Sequence, residues 1–349
     1  MPGPITTPLT TILNCQHPIM LAGMAEVSGG RLAAAVANAG GFSVVGGYQC
    51  TPEQLRRAIR DMKQHFARPD LPFGVALAIP QCGGRARKTN RDASGGKLDE
   101  LVNMAIRSGA RLFVSTAGVP PRPVIDRLHA AGVLVMNLVG HPKHAVRALD
   151  AGVDMLCAQG AEGRGHTGDV PASVLVPAVV AVARRYAPPM LGGQAPAIVV
   201  AGGGIAGGAA LAAALMQGAA GAWVCTRFVA SEEAHASEAA KQAILDCGFG
   251  GTERTLVLTG RPLRMRANDY IREWHARPDE IERLCAQGVV PMDQDNKEGR
   301  PVDIPVLMGE VAGAITDIQP AGVIVQNMVK EATEMLQLGG VYLGQRSKL

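Results

Sequence analysis

The sequence predicts an α/β protein, a (β/α)8 TIM barrel with a small C-terminal helical appendage. Three features of its 349 residues point there. Strand-like apolar runs alternate with helix-like segments eight times between about residues 15 and 248. The runs are continuously apolar, as a parallel sheet covered on its outer face requires. The seventh and eighth end in small-residue turns, Ala201-Gly202-Gly203-Gly204-Ile205 and Gly221-Ala222-Trp223-Val224-Cys225-Thr226, where such barrels hold a phosphate. A doubly wound sheet would need fewer strands and a GxGxxG turn after the first, but Gly23-Met24-Ala25-Glu26 stands there.

In order, strands are expected at 18–22, 42–45, 73–79, 112–115, 134–138, 155–158, 197–201 and 220–224. Helices are expected at 29–39, from Thr51, at 98–107, 121–131, 142–151 and 172–186, from Ala209 and from Ser231. Thr51-Pro52-Glu53 carries a cap residue, a proline in the first turn and an acid near the positive end. The polar stretch 85–97 is too hydrophilic to pack and is expected to wall or cover the barrel mouth. After Gly248 the period breaks. This divides the chain into a barrel over 1–248, a helical appendage over 249–318 and a final helix over 319–349 returning to the barrel. The appendage is expected to close over the mouth or to serve as a homodimer surface, two uses that the sequence does not separate.

Composition narrows the class. Aromatics make up 3% of the chain and glycine contributes 43 residues, which suits close helix-on-strand packing. A net charge of +4 without a basic block argues against nucleic acid. The seven cysteines are scattered without CxxC spacing, and the other histidines show no ligand spacing, so free thiols and no metal are expected. No run reaches the ~18 apolar residues of a membrane span, and the N-terminus lacks a signal pattern. A cytoplasmic protein is expected.

Two loops carry candidate chemistry. The glycines at 202–204 let backbone N–H groups approach an anion, and the helix after them points its positive end the same way; a phosphate-bearing cofactor or substrate is expected there. The sixth strand runs into Gln159-Gly160-Ala161-Glu162-Gly163-Arg164-Gly165-His166-Thr167-Gly168-Asp169. A glycine-flanked histidine on a βα loop lies on the catalytic face of a barrel, and its ordinary pKa suits a general base. Equally, such a histidine can cap a helix or face solvent. Asp169 either orients the ring or caps the next helix.

The run EGRGHTGD, the AGGG turn, the WVCTRF strand end, the opening PIMLAGM and the distal PAGVIVQ together resemble the nitronate monooxygenase (2-nitropropane dioxygenase) family. The resemblance spans nearly the whole chain. It implies an FMN-dependent oxidoreductase that turns a small nitronate or nitroalkane into a carbonyl compound and nitrite with O2, with His166 as the base. It also implies that Ala22, Gly23 and Met24 pass under the flavin ring and give it backbone hydrogen bonds. Gln159, Gly160 and Gly165 would lie against the flavin, and Gly202, Gly203, Gly204, Cys225 and Thr226 would hold its phosphate.

The same superfamily includes NAD(P)H:quinone reductases and flavin-dependent enoyl reductases, and Pro80-Gln81 resembles the quinone branch. A flavin-binding barrel without turnover is a third reading. Departures from the family pattern are Ala76 for an asparagine that contacts flavin, Arg164 in the histidine loop, and Cys225 for a glycine. Arg164 is expected either to lower the pKa of His166 or to bind an anionic substrate.

Overall fold

The computed structural model describes residues 3–82 and 86–343, so Gly83, Gly84 and Arg85, the start of the polar loop, lie outside the described residues. The strands in chain order are β1 (Ile19–Leu21), β2 (Ser43–Gly46), β3 (Phe73–Ala78), β4 (Leu112–Ala117), β5 (Leu134–Val139), β6 (Met155–Gln159), β7 (Gly165–His166), β8 (Ile198–Gly202), β9 (Ala222–Val224), β10 (Thr252–Thr255) and β11 (Leu263–Arg266). Eight of them, β1 to β6 with β8 and β9, form one sheet whose pairings between named strands are parallel. The Met20–Phe42 bridge brings β1 to β2 and rounds the sheet into a barrel. The chain is a (β/α)8 barrel, as its apolar runs predict.

Sequence accounts for the local structure. β6 is buried at all five positions, which is why it reads as an unbroken apolar run. Thr51 and Gln54 form a reciprocal capping box that starts the helix Pro52–Gln64. At the N-terminal end of the barrel the helix Pro8–Leu13 acts as a plug. Leu9 and Leu13 are fully buried, and a Cβ on Gly221 would stand 2.4 Å from Leu9 Cδ2. The opposite end of the strands is left for function.

Beyond the barrel the structure departs from the expected element bounds. No helix begins at Ser231, whose buried hydroxyl instead donates to the Phe228 carbonyl at 2.7 Å. A four-residue helix, Thr226–Val229, follows β9, and the helix Glu238–Leu245 comes later, capped by Ser237. The appendage contains helices Asp269–His275, Pro278–Gln287 and Pro291–Glu298, but it opens with the antiparallel hairpin β10–β11. Its apolar side chains form a cluster of their own around Val257, Leu263, Met265, Ile271 and Trp274. The last helix, Ala321–Val341, packs Ile324, Val325 and Met328 into the barrel's cluster.

Candidate active site at the barrel mouth

The loop after β6 is fastened at several points. Gln159 Nε2 donates to the His166 carbonyl at 2.8 Å, and the Thr167 hydroxyl donates to the Gly160 carbonyl at 2.6 Å. Glu162 accepts from the N–H of Ala172 at 3.0 Å, capping a helix whose preceding Pro171 has no capping side chain. Gly163 is a close approach: a Cβ there would stand 2.9 Å from Gln159 Cγ.

His166 itself lies in β7, which pairs antiparallel with β11 so that His166 faces Leu263. The hairpin of the appendage is thus added to the histidine loop as a small sheet. Thr259, in the turn between β10 and β11, shares a hydrogen bond of 3.0 Å with His166 Nε2. Asp169 does not orient the ring. It pairs with Arg254, which also bonds the Gly168 carbonyl.

Burial pushes the pKa of His166 down to about 4, with the nearby Arg261 cation lowering it further in the same direction. The ring is therefore neutral at pH 7. The cation responsible is Arg261 and not Arg164, the one that the sequence offers. Neither Thr259 nor Arg261 carries a local signal, for they reach His166 only because β11 pairs with β7.

Arg164 serves the other half of the mouth. Its Nε donates to the Leu307 carbonyl at 2.8 Å and its Nη1 lies 4.0 Å from Cys225 Sγ. It lines a cleft together with Gln159, Glu162, Gly203, Gly204, Cys225 and Thr226. Gly203 and Gly204 have φ of 90° and 72°, in the left-handed region that side chains disfavour. Among the described residues, no acceptor faces the backbone N–H groups of Gly203, Gly204, Cys225 or Thr226. This rim of free donors beside a guanidinium is what a phosphate dianion needs.

Three expected contacts are changed by the structure. The helix Gly208–Met216 does not offer its positive end freely, because the Glu331 carboxylate accepts from the Gly208 N–H. In the opening turn, the Ala22 N–H is engaged by the Val224 carbonyl at 2.9 Å and the Met24 N–H by Ser28 Oγ at 2.8 Å. Gly23 fits tightly, since a Cβ there would stand 2.5 Å from Ala76 Cβ. Ala76 is thus buried packing beneath the turn. Burial pushes the Cys225 thiol above its ordinary pKa, so it stays a neutral thiol.

Gln159 joins the two halves, for it lines the cleft of Gly203 and Gly204 and also holds the His166 carbonyl. A barrel whose C-terminal face brings together a glycine rim of free N–H groups and a positioned neutral histidine has the layout of a barrel enzyme. The chain belongs to the nitronate monooxygenase family, whose sequence profile matches residues 6–331, and it is an oxidoreductase. It is 35% identical over 268 residues to the (3aS,4S,5R,7aS)-5-hydroxy-7a-methyl-1-oxo-octahydro-1H-indene-4-carboxyl-CoA dehydrogenase of Mycobacterium tuberculosis, covering 76% of this chain and 68% of that one. Its structure resembles FabK from Thermotoga maritima (TM-score 0.79, 29% identity, 97% of this chain and 100% of that one). It also resembles a nitroalkane oxidase from Streptomyces ansochromogenes (TM-score 0.76, 27% identity, 95% of this chain and 99% of that one). The family implies a flavin, and the free N–H groups of the rim with Arg164 beside them fit the phosphate end of one. Among the described residues, no helix is long and apolar enough to cross a membrane.

Proposed function

We propose that the chain is an FMN-dependent enzyme that oxidises alkyl nitronates with O2 to a carbonyl compound and nitrite. The observation that carries this reading is the neutral His166 ring beside the Arg261 cation. A nitronate is an anion whose acidic carbon proton has already left, so it needs charge compensation more than a strong base. Arg261 supplies the compensating charge, and the neutral imidazole supplies a directed hydrogen-bonding group. Bound FMN would supply the electron acceptor and, once reduced, the reductant for O2. Gln159 and Thr259 hold His166 from its carbonyl and from its ring. The N–H groups of Gly203, Gly204, Cys225 and Thr226 would take the cofactor phosphate.

This assignment makes the neutral nitroalkane a much poorer substrate than its nitronate, because a base of pKa about 4 draws a carbon-bound proton slowly. The test is nitrite release in air by the FMN-loaded protein, with nitronate and nitroalkane compared at one pH. Absence of nitrite with both contradicts the reading and favours a flavin-binding barrel without turnover.

A second reading is NAD(P)H-dependent reduction of a quinone, an enoyl compound or a larger acyl substrate. It is favoured by the cations on the polar loop. Thr89 Oγ1 donates to the Gly260 carbonyl at 3.2 Å, which sets Arg87 and Lys88 beside the turn that carries Arg261. A rim of this kind suits a phosphate-bearing thioester, and one relative's name specifies a carboxyl-CoA. Anaerobic NADH separates the two readings: it bleaches the flavin in the second and leaves it oxidised in the first.

A further inference from the structure

We propose that Arg164 is a side-chain ligand of the cofactor phosphate, and that it replaces charge that the neighbouring helix does not deliver. The inference rests on the flavin reading above and assigns to this chain a cation where the resembled family pattern has none. Its first support is position. Arg164 lies three residues along the loop from Ala161 and two before His166, yet its side chain lines the cleft of Gly203, Gly204, Cys225 and Thr226.

The second support is orientation. The bond from Nε to the Leu307 carbonyl at 2.8 Å uses one donor and fixes the plane of the guanidinium. No carboxylate partner for its remaining N–H groups is found among the described residues. Glu162, the acid nearest in sequence, is spent on the N–H of Ala172. A planar fork with its Nε edge fixed, and its Nη donors engaged only by Cys225 Sγ at 4.0 Å, is the geometry that favours bidentate contact with a phosphate.

The third support is the electrostatic state of the rim. Glu331 occupies the first N–H of the helix Gly208–Met216, so an arriving dianion meets a carboxylate at that helix end and gains little from its dipole. The helix after β9 has four residues, too few to build a large dipole. Backbone N–H groups alone would leave most of the dianion's charge uncompensated. Arg164 supplies a full positive charge at that point, whereas the Thr226 hydroxyl, which accepts from the Gly309 N–H at 3.0 Å, can add only a neutral O–H donor.

The experiment compares FMN with riboflavin, which lacks the phosphate, by titrating flavin-free protein and following quenching of flavin fluorescence. Wild type is expected to prefer FMN. Arg164→Met should weaken FMN binding by about 10- to 100-fold, the worth of a charged hydrogen bond, and leave riboflavin within about twofold. Arg164→Lys keeps the charge without the fork and should fall between. It also carries the test if the methionine variant does not fold. Equal FMN affinity in wild type and variants overturns the proposal while the cofactor reading stands. A wild type that binds neither flavin overturns that reading and the proposal with it.

Discussion

His166 Nε2 and Thr259 Oγ1 lie 3.0 Å apart, although 93 residues separate them in the chain. The contact exists because the hairpin β10–β11 extends the short strand that carries the histidine. Thr259 also meets its own turn, with Oγ1 3.2 Å from the Arg261 carbonyl. The hydroxyl is therefore held before substrate arrives, and the ring is held with it.

Replacing Thr259 by alanine should free the ring without removing it. Steady-state kinetics of the flavin-loaded enzyme are expected to show a fall of about 10-fold in kcat/KM, the scale of one lost hydrogen bond at a reacting group. Thr259→Ser should recover most of it. An unchanged Thr259→Ala would mean that Gln159 and the strand pairing suffice.

The pH profile follows from the depressed pKa of His166. With a value of about 4 in the folded protein, kcat/KM should be insensitive to this group between about pH 8 and pH 5 and fall only as pH drops toward 4. Arg261→Gln removes the second cause and should move that limb upward, toward the ordinary 6.5. The same shift affects stability. The unfolded chain takes up the proton at 6.5 and the folded chain only near 4, so stability is lost as pH falls through that interval. The difference in urea midpoint between wild type and His166→Asn should decline over the same range.

The two adjoining glycines of the rim should respond differently to alanine. Gly203 has φ of 90°, and a Cβ there would stand 3.2 Å from Gly160 N and from Gly163 N. Gly203→Ala should cost about 1–2 kcal/mol from the backbone conformation alone, with more from the contact. Gly204 is also left-handed, but its nearest neighbour would be Glu162 Cβ at 4.0 Å. Gly204→Ala should therefore cost less in chemical denaturation, while still weakening FMN binding because its methyl group enters the cleft.

Arg227 ties the segment before the last helix to the barrel. Its guanidinium, 9% exposed, bonds Asp317 Oδ1, the Asp317 carbonyl and the Ala230 carbonyl, each at 2.8 Å. Arg227→Met should cost about 2 kcal/mol in a denaturant titration. Asp317→Asn should cost less than about 1 kcal/mol, because that carboxylate is half exposed and the carbonyl contacts survive.

The barrel was legible because its strands are buried on both faces and so read as uninterrupted apolar runs; β6 and β8 are buried at every position. The glycine rim was legible because left-handed turns leave a compositional mark at Gly203 and Gly204. The hairpin was not. β11 alternates buried Leu263 and Met265 with Arg264 and Arg266, and four residues with two arginines look like a solvated stretch. Thr259 and Arg261 depend on that pairing, so the partners of His166 were hidden with it. Asp169 was legible as a nearby acid, but only the fold reveals Arg254 as its partner.

The most direct test of the account is the visible absorption spectrum of the purified protein after incubation with FMN and removal of free flavin, recorded before and after anaerobic addition of a nitronate. The account predicts a yellow protein whose flavin bands bleach with the nitronate and return on admitting air. A protein that stays colourless, or whose bound flavin ignores the nitronate and bleaches with NADH, would contradict it.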